Sequence, residues 1–323
     1  MGLVEVLRHL PRLRGLFQAL LDLAREEAAD GALLIDYPGF NLRLAGALRA
    51  QQPGTRLFQY VCPQVWAWKK GRVPQIGNTF DALYCLFDFE PALFEGFPVE
   101  ARWVGHPLAE SVRPELDRES FFHEAGLDPG IPVVALLPGS RAGEIARLVP
   151  PLADLVRLWE ADPSRPRVQW VLPLAPTVGR AEVQRRLGTA PVRVLEGRTY
   201  SALAHAAAAL VASGTATLEA ALLGVPFALI YRLSPLTYLA GRMLVKVPFV
   251  GLPNIVAGRE IVPELIQGEV EAPKLAAHLA QLLEPGTSAR MRAELAGLRP
   301  RLGAPGAARR VAEHLLDRLD SRR

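Results

Sequence analysis

The sequence predicts an α/β protein built from two parallel-sheet domains, and three observations carry that reading. Short apolar runs of strand length alternate with helix-length periodic segments along the chain, the order that yields parallel sheets covered on both faces. The alternation lapses across a Pro- and charge-containing stretch at 111–130, then restarts with a strand at Val133–Leu137. The 323 residues, half of them apolar, supply enough surface to bury for two cores. The expected division is a first domain at 1–115, a second at 116–300, and a terminal helix within 301–323 that packs back on the first.

The elements follow in order from their periodicity. Residues 3–28 read as an amphipathic helix interrupted by Pro11. The apolar run 32–35 reads as a strand, 36–39 as a turn and 41–50 as a helix. Strand 56–61 leads into an aromatic-rich loop, a helix near 70–77, strand 81–87 and a short helix at 90–95. Strand 101–104 then ends in Gly105-His106-Pro107. In the second domain, helix 143–160, strand 168–172, helix 178–187 and strand 191–195 follow the first strand. A strand–turn–helix–strand unit occupies 206–232, with Gly224 closing its helix. Helices are expected at 260–267, 273–283, 287–298 and 306–321.

Composition narrows the function classes. The net charge of +4 comes mainly from Arg scattered along helices, with no block of five or six like charges, so a nucleic-acid tail is excluded. A modest basic excess suits anionic small molecules or an anionic membrane face. Cys62 and Cys85 lie in apolar strand-like stretches and read as reduced core residues of a cytoplasmic protein. The N-terminus has no signal-peptide pattern, and no apolar stretch reaches about 18 residues, the length a spanning helix needs. Any membrane contact is expected from outside.

Four constellations are candidates for chemistry. Pro138-Gly139-Ser140-Arg141 stands between a strand and a helix, where backbone N–H groups cradle a diphosphate and an Arg adds a bidentate cation. On its own a surface βα turn explains it as well. Ser213-Gly214-Thr215 repeats the arrangement, and Ser213 or Thr215 can cap the helix behind it. Glu219, one turn along that helix, lacks the Ser or Thr of a capping box at position 216, which is Ala, and suits a diol such as a ribose. Asp36 ends a strand of an open α/β sheet, where a carboxylate is placed as a general base. It equally fits a turn Asp before Pro38, and the residues alone favour the turn.

In Tyr60–Lys70, Trp66 and Trp68 share one side of an extended segment. They form either a lipid- or sugar-facing edge or ordinary core. The stretch 236–253, with Arg242 and Lys246, reads as a helix that rests on an anionic membrane or simply packs. His106 is a hinge or site residue. Neither a metal-ligand motif nor a nucleophile elbow occurs, and no metal is expected.

Six blocks taken together resemble the lipid-A-disaccharide synthase family. They are IDYPGFNLRLA (35–45), YVCPQVWAWKKGRV (60–73), FDFEPALFE (87–95), VGHPLAE (104–110), LLPGSRAGEIARL (136–148) and the run 212–265. Their order and spacing make the resemblance specific. It implies a GT-B glycosyltransferase, two Rossmann-like domains with parallel sheets facing a cleft. Such an enzyme joins UDP-2,3-diacylglucosamine to 2,3-diacylglucosamine 1-phosphate, with inversion, giving a β(1→6) disaccharide and UDP. It implies Asp36 as the base and Arg141 at the leaving diphosphate. Gly139, Ser140, Ser213, Gly214, Thr215 and Glu219 then form the UDP cradle, with Asn254 beside the donor. Trp66, Trp68 and His106 fall on the acceptor and lipid side. No cofactor and no obligatory cation are implied, because helix ends and Arg can carry the charge.

The implied partners are the two lipid substrates and the anionic cytoplasmic face of the inner membrane, and the resemblance also allows a homodimer. Tyr37 and Gly39 stand where the family usually has Ala and Asp, and Cys62 and Gln64 replace serines. Met1 falls at an internal position of the family pattern, so the first domain is expected to be short of an opening strand and glycine- and acid-containing loop. Two other readings remain: a GT-B enzyme for a non-acylated UDP-N-acetylglucosamine-type donor, and a UDP-binding protein without turnover.

Overall fold

A computed structural model describes residues 3–67, 69–234, 238 and 248–320. Trp68 and most of 236–247, including Arg242 and Lys246, lie outside the described residues. The chain divides into two compact units: Met1–Pro107 joined by Leu302–Arg323, and Leu108–Arg301. The division falls before residue 115 because Glu115 and Leu116 are tied to the second unit. Their backbone N–H groups donate to Ser201 Oγ (2.9 Å each), and the Glu115 carboxylate accepts from the Ser201 N–H (2.6 Å).

The first unit opens with helix α1 (Leu3–Glu26), which runs through Pro11 without stopping. Proline removes one helical hydrogen bond, yet Leu21 and, less deeply, Phe17, Leu20 and Ala24 pack into the core with Leu42, Leu44 and Leu83. Burial of that face outweighs the missing bond. Strands β1 (Gly31–Ile35), β2 (Arg56–Tyr60), β3 (Ala82–Cys85) and β4 (Glu100–Trp103) form one parallel sheet in the order β1-β2-β3-β4. Helices α2 (Pro38–Gln51) and α3 (Val73–Thr79) make the crossovers.

The second unit adds helices α4 (Leu108–Ser111) and α5 (Arg118–Glu124), the latter capped by Asp117, whose carboxylate accepts from the Ser120 N–H. Its strands are β5 (Val133–Leu137), β6 (Gln169–Leu174), β7 (Val192–Glu196), β8 (Ala208–Ala212), β9 (Phe227–Tyr231) and β10 (Glu264–Ile266). Every pairing is parallel, in the order β7-β6-β5-β8-β9-β10. Strands β5 and β8 are buried along their whole length, as strands covered on both faces must be. The connecting helices are α6 (Ala142–Glu160), α7 (Arg180–Leu187), α8 (Thr199–Ala204) and α9 (Thr215–Leu222). Helix α10 (Leu252–Ala257) precedes β10. After it come α11 (Ala272–Leu283), α12 (Pro285–Ala296) and α13 (Leu298–Arg301).

The helix expected at 260–267 is instead β10. Leu265 pairs beside Ile230 and is buried, so the sheet's open edge captures a segment too short for its periodicity to decide. The chain then re-enters the first unit as helix α14 (Ala307–Asp320). Val311, with Leu315 and Leu319, packs against Phe58, Tyr84 and Val104. The Arg310 guanidinium donates twice to the Val104 carbonyl (2.9 and 2.7 Å), and Tyr84 Oη lies 3.1 Å from His314 Nδ1.

Candidate active site

The sheet of the second unit reverses its winding between β5 and β8. The chain builds outward from β5 to β6 and β7, then returns to the other side of β5 for β8, β9 and β10. Such a switch point opens a crevice beyond the carboxyl ends of the two central strands. Both glycine turns lie there. After Leu137, Gly139 takes φ +104° and delivers the chain into α6; after Ala212, Gly214 takes φ +141° and caps α9.

A cavity of about 370 Å³ is lined by Gly139, Ser140, Arg141, Gly214, Thr215 and Glu219, and Ser213 joins them. Seven of the eight residues expected at the UDP donor in this half of the chain are therefore brought together, Asn254 being the exception. The Arg141 side chain is 73% exposed and pairs with the Glu144 carboxylate (2.8 Å). Neither Ser213 nor Thr215 caps α9, since Gly214 occupies the cap position without a side-chain acceptor. The buried Thr217 hydroxyl instead donates to the Gly214 carbonyl (2.7 Å) and fixes the turn.

Glu219 is held largely out of water, which raises its pKa above the ordinary carboxylate value; a hydrogen bond donated by Tyr200 Oη (3.3 Å) opposes the rise. Three contributors escaped the sequence reading. Tyr200 meets Glu219 across 19 residues and leaves no local signal. Thr177 donates to the Ser140 carbonyl (2.6 Å) and pins the first turn. Glu144 was within reach of sequence reasoning, because it stands three residues past Arg141 at capping-box spacing.

Asn254 does not line this cavity. It is fully buried: its amide donates to the Val262 carbonyl and Glu264 Oε1 (2.9 Å each), and its oxygen accepts from the Ile261 and Val262 N–H groups (2.8 and 3.0 Å). The Glu264 carboxylate accepts in turn from the N–H groups of Val250 and Gly251 (2.8 Å each). Asn254 is a clamp on the segment before β10, its side-chain amide engaged on both oxygen and nitrogen.

In the first unit Asp36 ends β1, exposed, with φ +49°, and Tyr37 follows at φ +43°. Two consecutive side-chain-bearing residues in the left-handed region are strained. The fold imposes the turn: the Asp36 N–H donates to the Tyr60 carbonyl (2.9 Å), and its own carbonyl accepts from Asn41 Nδ2 (2.6 Å) and Gln59 Nε2 (3.2 Å). An apolar cavity of about 1020 Å³ opens beside this turn, lined by Leu13, Phe17, Tyr37 and Phe40, with Arg14 and Arg43 at its wall.

Trp66 is core rather than a lipid-facing edge. The segment turns at 65–67 instead of extending, the ring is 8% exposed, and its indole N–H donates to Glu90 Oε1 (3.0 Å). Phe87 and Phe89 meet it edge to face, and the His106 ring packs 5.7 Å from Phe87. Burial pushes the His106 pKa down to about 4 and the Glu90 pKa up to about 7. Among the described residues, the ligand atoms of Cys62, Cys85 and Glu90 lie within 4.8 Å of one another. That group does not fit a metal well. Both Glu90 oxygens are committed to Trp66 and the N–H groups of Leu86 and Phe87, and the Cys62 thiol is held protonated by its contact with Cys85 and by burial.

The family model described as lipid-A-disaccharide synthetase matches residues 1–302. The chain belongs to the lipid-A-disaccharide synthetase family. The lipid-A-disaccharide synthase of Solibacter usitatus (strain Ellin6076) is 42% identical over 322 residues, covering 98% of this chain and 83% of that protein. The one from Myxococcus xanthus (strain DK1622) is 43% identical over 324 residues, 99% of this chain and 83% of its own. Among solved structures, a UDP-GlcNAc 2-epimerase from Neisseria meningitidis bound to UDP-GlcNAc is similar with a TM-score of 0.61 at 14% identity, covering 94% of this chain and 81% of its own. A glycosyltransferase from Rickettsia africae ESF-5 is similar at 0.55 and 9% identity, over 94% and 80% of the two chains. At such identities these likenesses show the fold alone, two parallel-sheet α/β units of the GT-B kind. Among the described residues of this synthetase-family chain, no helix is long and apolar enough to cross a membrane.

Proposed function

We propose that the chain is an inverting glycosyltransferase that joins UDP-2,3-diacylglucosamine to 2,3-diacylglucosamine 1-phosphate, releasing UDP and a β(1→6)-linked disaccharide. The observation that carries this reading is the meeting of two glycine turns, Arg141 and Glu219 in one cavity at the switch point of the second sheet. The two turns present first-turn N–H groups to a diphosphate. Arg141, exposed and bidentate, neutralises charge as UDP departs. Glu219 accepts from the ribose diol.

Asp36 is the base that takes the proton from the acceptor 6-hydroxyl as that oxygen attacks the anomeric carbon. Its strained turn presents the carboxylate to solvent, beside an apolar cavity that suits acyl chains. Arg14 and Arg43 at that cavity suit the sugar phosphate or anionic lipid headgroups. The enzyme works peripherally, on the cytoplasmic face of the inner membrane, because both of its substrates carry acyl chains. Trp66 supports the acceptor side from within the core, and His106, half-buried against Phe87, flanks it.

The test is incubation of the chain with both acylated sugars in detergent micelles, with mass spectrometry of the lipid fraction. The expected product is the disaccharide, formed with one UDP each. Turnover of UDP-N-acetylglucosamine instead, or UDP binding with no product, would overturn the reading.

A further inference from the structure

The diphosphate cradle at the first glycine turn is filled by the protein's own carboxylate. Glu144 Oε2 accepts from the N–H groups of Ser140 (2.9 Å) and Arg141 (3.2 Å), while Oε1 takes the Arg141 guanidinium (2.8 Å). One side chain thus occupies two backbone N–H groups of this turn and one nitrogen of the Arg141 guanidinium. The carboxylate sits inside the turn, 17% exposed against 73% for Arg141. A Cβ on Gly139 would strike it. The turn is rigid around it: Thr177 pins the Ser140 carbonyl, and Gly139 holds φ +104°. The second turn is built differently, for the Gly214 cap of α9 has no side-chain acceptor.

Resting on the donor-site reading above, we propose that Glu144 is an internal anion that holds the diphosphate position between turnovers. A carboxylate carries one negative charge and two oxygens; a diphosphate carries more of both and reaches the second turn as well. UDP therefore displaces Glu144, and Arg141 exchanges its carboxylate partner for phosphate oxygens. As UDP leaves, the carboxylate returns and competes for the same N–H groups. The cradle stays organised when empty, and UDP is bound less tightly than its donors alone would allow. Glu144 is in this sense a positioning residue that favours product release.

The test compares UDP and uridine binding by calorimetry in the full chain, Glu144→Gln and Glu144→Ala, with thermal melts to establish folding. Glu144→Gln keeps an acceptor for the turn and removes the charge. The expected result is roughly tenfold tighter UDP binding in Glu144→Gln, no change for uridine, and a UDP product-inhibition constant that falls by the same factor. A cap with a purely structural role would leave UDP binding unchanged or weaker in Glu144→Gln and weaker again in Glu144→Ala. That outcome, with the wild type still binding UDP, overturns the proposal and leaves the donor site standing. UDP bound by none of the three proteins overturns the donor site and this proposal with it.

Discussion

In the proposed reaction Asp36 and Arg141 have different roles, and their variants should fail differently. Asp36 sits in a left-handed turn whose strain is of the order of 1–2 kcal/mol per residue, and Asn tolerates that conformation while lacking a base. Asp36→Asn should lower kcat by about 10²- to 10⁴-fold with UDP affinity unchanged by calorimetry. Arg141→Ala should lower kcat/KM for the donor by about 10²- to 10³-fold, and Arg141→Lys should recover only part of that loss, since a point charge does not replace a bidentate fork. Glu219 adds a pH signature. Its pKa is raised by burial, so UDP affinity should fall as pH drops through that raised value and the carboxyl gains a proton; Glu219→Gln should bind more weakly and show a flat profile. The residues legible in the sequence are those whose role is local. Gly139, Ser140, Arg141 and Ser213–Thr215 declare themselves as turns between a strand and a helix. Asn254 and Trp66 do not, because their partners Glu264 and Glu90 lie 10 and 24 residues away.

At the scale of elements, the central strands β3, β5 and β8 were legible to within a few residues because parallel strands buried on both faces are continuous apolar runs. What periodicity missed was decided by tertiary contact: α1 continues through Pro11 on the strength of its packed face, and 264–266 is a strand because β9 offers an open edge. The turn at 86–90 carries a test of stability. Glu90 binds its proton more tightly folded than unfolded, so its contribution is full below pH 4.5 and is lost as pH rises through about 7. His106 binds its proton less tightly folded, so its contribution is full above 6.5 and is lost as pH falls towards 4. Across pH 4.5–6.5 the two oppose each other. Glu90→Gln should unmask His106, giving a melting temperature that climbs with pH over that window where the wild type changes little. Gly139→Ala would test the first turn directly. With φ at +104° and Glu144 against the site of a new Cβ, the loss should be about 1–3 kcal/mol, read as a lower melting temperature.

For the whole molecule, the expected pair of α/β domains matches the two sheets, but the chain's path is less simple than one domain after another. The first unit needs residues 302–320 to finish it, since Val311, Leu315 and Leu319 pack against Phe58 and Tyr84. The terminal helix is expected to return to the first domain, but no local pattern in it names the strands it covers. Removing residues 302–323 should expose the first unit's amides to hydrogen exchange while leaving UDP binding within about twofold, since every residue of the proposed cradle belongs to the second unit. The proposed reaction divides its labour between a base on the first unit and a diphosphate cradle on the second. It is tested most directly by measuring disaccharide formation and UDP affinity side by side in the wild type, Asp36→Asn and Arg141→Ala. The expected outcome is product from the wild type, a rate lowered by about 10²- to 10⁴-fold in Asp36→Asn despite undiminished UDP binding, and weakened UDP binding in Arg141→Ala. Near-wild-type turnover by Asp36→Asn, or UDP binding indifferent to Arg141, would contradict it.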